Sequence, residues 1–73
     1  MKINNRFDER QIELLEKINV DVNQNYNKNT LEELEDIVCD VMIDNLDEKQ
    51  DFTPIAEEYE RILDIIVDIE NNL

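Results

Sequence analysis

The sequence predicts an all-α fold: a small three-helix bundle with the C-terminal helix central, able to pair into a dimer. Three observations predict it. Apolar residues recur at helical spacing in three segments, and each segment opens with its own N-terminal cap signal. The third apolar seam spans an arc too wide for one neighbour to cover. At 73 residues the chain holds one domain with a thin core, since a domain this short buries only ~60% of its unfolded surface. Residues 1–73 are therefore read as a single helical domain.

Helix 1 is expected over about residues 8–19. Asp8 offers a short acceptor to the free amides of the first turn, and Gln11 stands three residues on, the spacing of a capping box. Phe7 precedes the cap in the place of a staple residue. Ile12, Leu15 and Ile18 follow at steps of three, with Leu14 beside them, and the periodicity fades after Val20. The next stretch carries Asn19, Asn23, Asn25, Asn27 and Asn29 together with Asp21 and Gln24. Such side chains compete for backbone hydrogen bonds and favour turns, so residues 20–29 read as an Asn-rich loop, extended over Asn19 to Val22.

Helix 2 is expected over about residues 31–46, with Thr30 as cap and Glu33 reaching back to it. Leu31, Leu34, Val38, Val41 and Asn45 trace one seam, which Ile37 and Met42 widen; the apolar members fall within about 140° of arc. Cys39, Ile43 and Leu46 form a second, shorter stripe, the expected dimer interface. Helix 3 is expected over about residues 54–72. Thr53 caps it, and Pro54 takes the first helical position, where its missing N–H costs nothing. Ile55, Tyr59, Ile62, Ile66, Ile69 and Leu73 alternate steps of four and three. Leu63, Ile65 and Val67 widen this seam to about 200°, which places the helix between two neighbours. Phe52 reads as a staple closing the connection before it. With no glycine in the chain, no tight left-handed turn marks where the helices end.

Composition excludes several chemistries. Without histidine there is no imidazole base or metal ligand, and one cysteine closes no internal disulfide and builds no thiolate zinc site. Cys39 packs as a small hydrophobe, and a lone thiol suits a reducing compartment. Tyr59 reads as a core or interface aromatic rather than a catalytic phenol. The first residues lack the apolar run of a secretory signal. The longest apolar stretches, residues 41–43 and 65–67, fall far short of the ~20 residues of a membrane span. The expectation is a soluble cytoplasmic protein that is not an enzyme, uses no cofactor or metal and does not touch the membrane.

Charge is divided unevenly. Residues 1–30 hold five acids and five bases, whereas residues 31–73 hold fifteen acids with only Lys49 and Arg61, so the net charge of −13 lies entirely in the second part. Direct binding to nucleic-acid phosphates is therefore not expected. Glu32, Asp36, Asp40, Asp44 and Glu48 recur every four residues with no interleaved lysine. Like charges at that spacing destabilise a helix by a few tenths of a kcal/mol per pair. A surface serving solubility alone would mix signs, as residues 1–30 do. Glu57, Glu60, Asp64 and Asp68 add acids on the polar side of helix 3. Spread along a bundle ~27 Å long, the net charge amounts to about one per 2 Å, close to the one per ~1.7 Å of duplex DNA.

These residues point to a non-enzymatic protein–protein interaction module. The acidic column is the expected binding face for a basic partner, as a nucleic-acid mimic or inhibitor. Alternatives are a structural or regulatory homo-oligomer using its apolar stripes, a solubility surface, and a degenerate calcium loop at residues 21–32. Asp21, Asn23, Asn25 and Glu32 match positions 1, 3, 5 and 12 of that loop, but Tyr26 replaces its glycine and Lys28 its apolar residue. Glu32-Glu33-x-x-Asp36 with Glu57-x-x-Glu60 is loosely like the carboxylate set of helical nucleotide pyrophosphohydrolases. On helix 2, however, those acids project away from the apolar arc, where a metal cluster would have to converge.

Residues 7–18 (FDERQIELLEKI), residues 31–38 (LEELEDIV), and Pro54 with residues 62–66 (ILDII) carry a likeness. Over roughly residues 7 to 66 the chain resembles short, acidic, uncharacterised helical proteins of low-GC Gram-positive bacteria and their mobile elements. Ten Asn and ten Ile agree with an AT-rich genome. The resemblance implies a fold and a genomic setting, not an activity. Those proteins tend to carry a glycine after the first helix, where this chain has Asn19-Val20.

Overall fold

The computed structural model describes residues 1–46, 49 and 53–73. A 3-10 turn at Asn4–Arg6 is followed by three helices: α1 (Glu9–Lys17), α2 (Lys28–Asp44) and α3 (Pro54–Asn71). α3 packs along α2 and against α1. The radius of gyration is 12.0 Å, close to the ~11 Å of a folded chain of this length.

α1 opens with a reciprocal capping box. The Asp8 carboxylate accepts the Gln11 backbone N–H at 2.8 Å, and the Gln11 side chain accepts the Asp8 N–H at 2.9 Å. It ends at Lys17, two residues before the expected position, because Asn19 turns left-handed with φ +64°. The Asn19 N–H then donates to Glu16 O, and the Val20 N–H to Leu15 O, both at 3.0 Å. This pair of bonds is the Schellman motif, which normally uses glycine. Leu15 and Val20, which the motif brings together, are both buried.

α2 starts three residues before the expected position. Thr30 is not its cap. The Asn27 side chain accepts the Thr30 N–H at 2.9 Å, and the Thr30 hydroxyl accepts the Asn27 N–H at 2.8 Å. Thr30 therefore fills the third position of a box capped by Asn27, and Lys28 and Asn29 form the first turn. The expected loop of residues 20–29 shortens at its far end accordingly. α2 closes at Asp44, where the Asn45 side chain donates to Val41 O at 2.8 Å. Leu46 consequently lies beyond α2. Glu48 and Phe52 fall outside the described residues. α3 begins as expected for Thr53-Pro54, with the Ala56 N–H donating to the Thr53 hydroxyl at 3.1 Å, and ends one residue early at Asn71.

The core joins Leu14 and Leu15 of α1, Leu31, Leu34 and Val38 of α2, and Tyr59, Ile62, Ile66 and Ile69 of α3. Ile12 and Ile18 are only half-buried, so the inward face of α1 is centred on Leu14 and Leu15. Irregular segments supply Ile3, Phe7, Val20, Val22 and Tyr26 as well. Val20 and Val22 alternate with exposed Asp21 and Asn23, the period of extended chain. Met1 and Tyr26 exchange two backbone hydrogen bonds, which pins the first residues onto the loop. Tyr59 ties α1 to α3, its hydroxyl donating to the Leu14 carbonyl at 3.0 Å. That carbonyl is among the last four of α1, which have no helical donor ahead of them.

Candidate functional site

Packing fixes which side of α2 faces outward. Leu31, Leu34 and Val38 are buried toward α3, and at 100° per residue the opposite side carries Glu32, Asp36, Asp40 and Asp44. All four are exposed. Glu33 and Ile37 share that side. Ile37, expected to widen the buried seam, is instead 44% exposed, and Ile43 is 53% exposed. The acidic column thus runs between two accessible apolar side chains. Of the expected dimer stripe, Ile43 is open, while Cys39 and Leu46 are half-buried.

The electrostatics of α2 run against its own dipole. Lys28 is its first residue and Asp44 its last, with no acid in the first turn and no base in the last. A charge at the unfavourable helix end costs about 0.3–1 kcal/mol. Elsewhere bases are placed on acids. Arg6 pairs with Asp68 at 2.9 Å, and Arg10 holds both oxygens of Glu58 at 3.3 and 3.1 Å. A looser contact of 3.8 Å joins Arg10 to Glu13. Among the described residues, these ion pairs draw acids from α1 and α3 and leave the column of α2 without a basic partner. Asp68 therefore does not add a free charge to the acidic surface.

A second carboxylate group, which the sequence pattern did not single out, lies between α2 and α3. Glu70 Oε1 is buried and has no hydrogen-bond partner among the described residues. Desolvation, and then the facing Glu35 carboxylate, raise the Glu70 pKa; Glu32 adds to the effect and Lys28 opposes it. The signal was there to read, because Glu70 stands four residues after Ile66, on the rim of the buried seam.

The Asn-rich segment is anchored by buried Val20, Val22 and Tyr26, while its Asn side chains are exposed. Asp21 accepts the Asn23 N–H at 2.9 Å through its side chain, and its carbonyl accepts the Tyr26 hydroxyl at 2.8 Å. Burial raises the Tyr26 pKa above its ordinary value. Among the described residues, no group of three or more Asp, Glu or Cys side chains is placed to hold a metal ion. No helix among them is long and apolar enough to cross a membrane.

No protein-family model matches the chain, and neither a curated protein nor a solved structure is detectably similar to it.

Proposed function

We propose that the protein is a non-enzymatic interaction module that presents the acidic face of α2 to a basic protein surface, as a nucleic-acid mimic or inhibitor. The observation that carries this reading is the exposed column Glu32, Asp36, Asp40 and Asp44, which has no ion pair among the described residues and is flanked by exposed Ile37 and Ile43. Apolar side chains among charges are how an anchored interface is built: the apolar groups supply contact energy, while the charges steer and orient. In sequence, Glu48 extends the column, and exposed Glu57 and Asp64 bring acids from α3. The side of α2 opposite its buried Leu31, Leu34 and Val38 is exposed and accessible to a partner. A nucleic-acid-binding protein held inactive is the partner class that such a mimic would take.

A second reading, favoured by the exposure of Ile43, is self-association through Cys39, Ile43 and Leu46. Salt separates the two. Attraction between the acidic face and a basic partner weakens as ionic strength rises, whereas two copies carrying like columns associate more readily when repulsion is screened. Sedimentation velocity of the chain alone, from low to high salt, should give a mass that does not grow with salt. A dimer that strengthens with salt and is broken by Ile43→Asp would favour the homo-oligomer instead.

A further inference from the structure

Beside the acidic column, the Asn-rich loop folds back on the N-terminal half of α2 and leaves an open groove of about 190 Å³. Drug- and cofactor-sized ligands need about 300–1,000 Å³, so this space has the dimensions of a single side chain. Its floor is apolar: Val20, Tyr26 and Leu34 are buried, and Ile37 stands exposed at its edge. Its rim is acidic, with Asp21 on the loop and Glu33 on α2, and no base among the described residues lines it. The loop side is braced by the left-handed turn at Asn19 and by the bond from the Tyr26 hydroxyl to Asp21 O.

An apolar floor under an anionic rim complements an aliphatic stem that ends in a cation. Of the two basic side chains, arginine fits better, because its planar fork can engage carboxylates on two sides at once. Resting on the reading that α2 meets a basic protein, we infer that this groove is the socket for one arginine of that partner. The stem lies across Tyr26, Leu34 and Ile37, and the guanidinium sits between Asp21 and Glu33. Glu33 and Ile37 share the outward side of α2 with Asp36 and Asp40, so the socket is continuous with the column.

The test is an NMR titration of the full chain with N-acetyl-arginine amide, using N-acetyl-citrulline amide as the uncharged isostere. The expected result is shift changes focused on Val20, Tyr26, Leu34 and Ile37 with the arginine probe and none with citrulline. Glu33→Gln should weaken binding about tenfold, as loss of a charged hydrogen-bond partner does. Equal shifts with citrulline, shifts spread along α2 without focus on the groove, or indifference to Glu33→Gln would overturn the socket. The Asp36→Asn, Asp40→Asn, Asp44→Asn variant separates this inference from its parent. A partner lost by that variant from a protein whose groove ignores arginine overturns the socket alone. A groove that still takes arginine, in a protein whose column binds nothing, overturns the column alone.

Discussion

Among the described residues, Asn19 and Glu70 each depart in conformation or surroundings from what their type usually adopts. Asn19 holds φ +64° at the end of α1, in a conformation that costs most residues roughly 1–2 kcal/mol and that asparagine tolerates better. Asn19→Ala should therefore lower stability by about 1 kcal/mol in urea unfolding, while Asn19→Gly should leave it within a few tenths. Glu70 is the opposite case, a carboxylate held where its charge is unwelcome. Because its folded pKa lies above the unfolded value, the native state binds the proton more tightly. Its ionisation costs stability at neutral pH, and that cost is relieved as pH falls through the raised pKa. Glu70→Gln, whose amide can donate to Glu35, should raise the thermal midpoint at pH 7, with a gain that fades on acidification. A gain independent of pH would show that the Glu35–Glu70 pair is not its source.

Among the elements, α2 shows where sequence patterns suffice and where they do not. The Asp8-Gln11 and Thr53-Pro54 starts follow directly from residue type and spacing. The start of α2 did not, because Asn27 and Thr30 are both cap formers three residues apart, and their side chains can only be told apart once each is seen bonding the other's backbone N–H. Helical periodicity was equally blind to Ile3, Val20, Val22 and Tyr26, which reach the core from irregular chain. Only the alternation at Val20 and Val22 hinted at them. The acidic column could be read from its four-residue step, and its exposure follows from the burial of Leu31, Leu34 and Val38 opposite. The exposure of Ile37 could not, since an isoleucine at the margin of an arc carries no mark of which side it will take. α2 also carries its charges against its dipole. Asp44→Lys should accordingly stabilise the protein by about 0.3–1 kcal/mol while weakening capture of a basic partner. A substitution that improves the fold and harms binding is the expected signature of a face kept for function.

For the whole molecule, the division of charge is the organising fact. Arg6 and Arg10 are placed on Asp68 and Glu58, so bases of the neutral first part bridge the N-terminal segment and α1 to α3. Of the acids these pairs leave over, Glu32, Glu33, Asp36, Asp40 and Asp44 stand exposed on α2. Exposed ion pairs add little stability, typically below about 1 kcal/mol each, so the core rather than these bridges holds the fold. The most direct test of the account compares two variants that lose the same three charges from different faces. One is Asp36→Asn, Asp40→Asn, Asp44→Asn on α2; the other is Glu9→Gln, Glu13→Gln, Glu16→Gln on α1. Each is used with the wild type to capture proteins from a lysate of the source organism at low salt, with elution at high salt. If the face of α2 is the binding site, a basic protein held by the wild type is retained by the α1 variant and lost by the α2 variant. Equal retention by both, or equal loss from both, would contradict it, because the net charge and not the face of α2 would then be all that the partner senses.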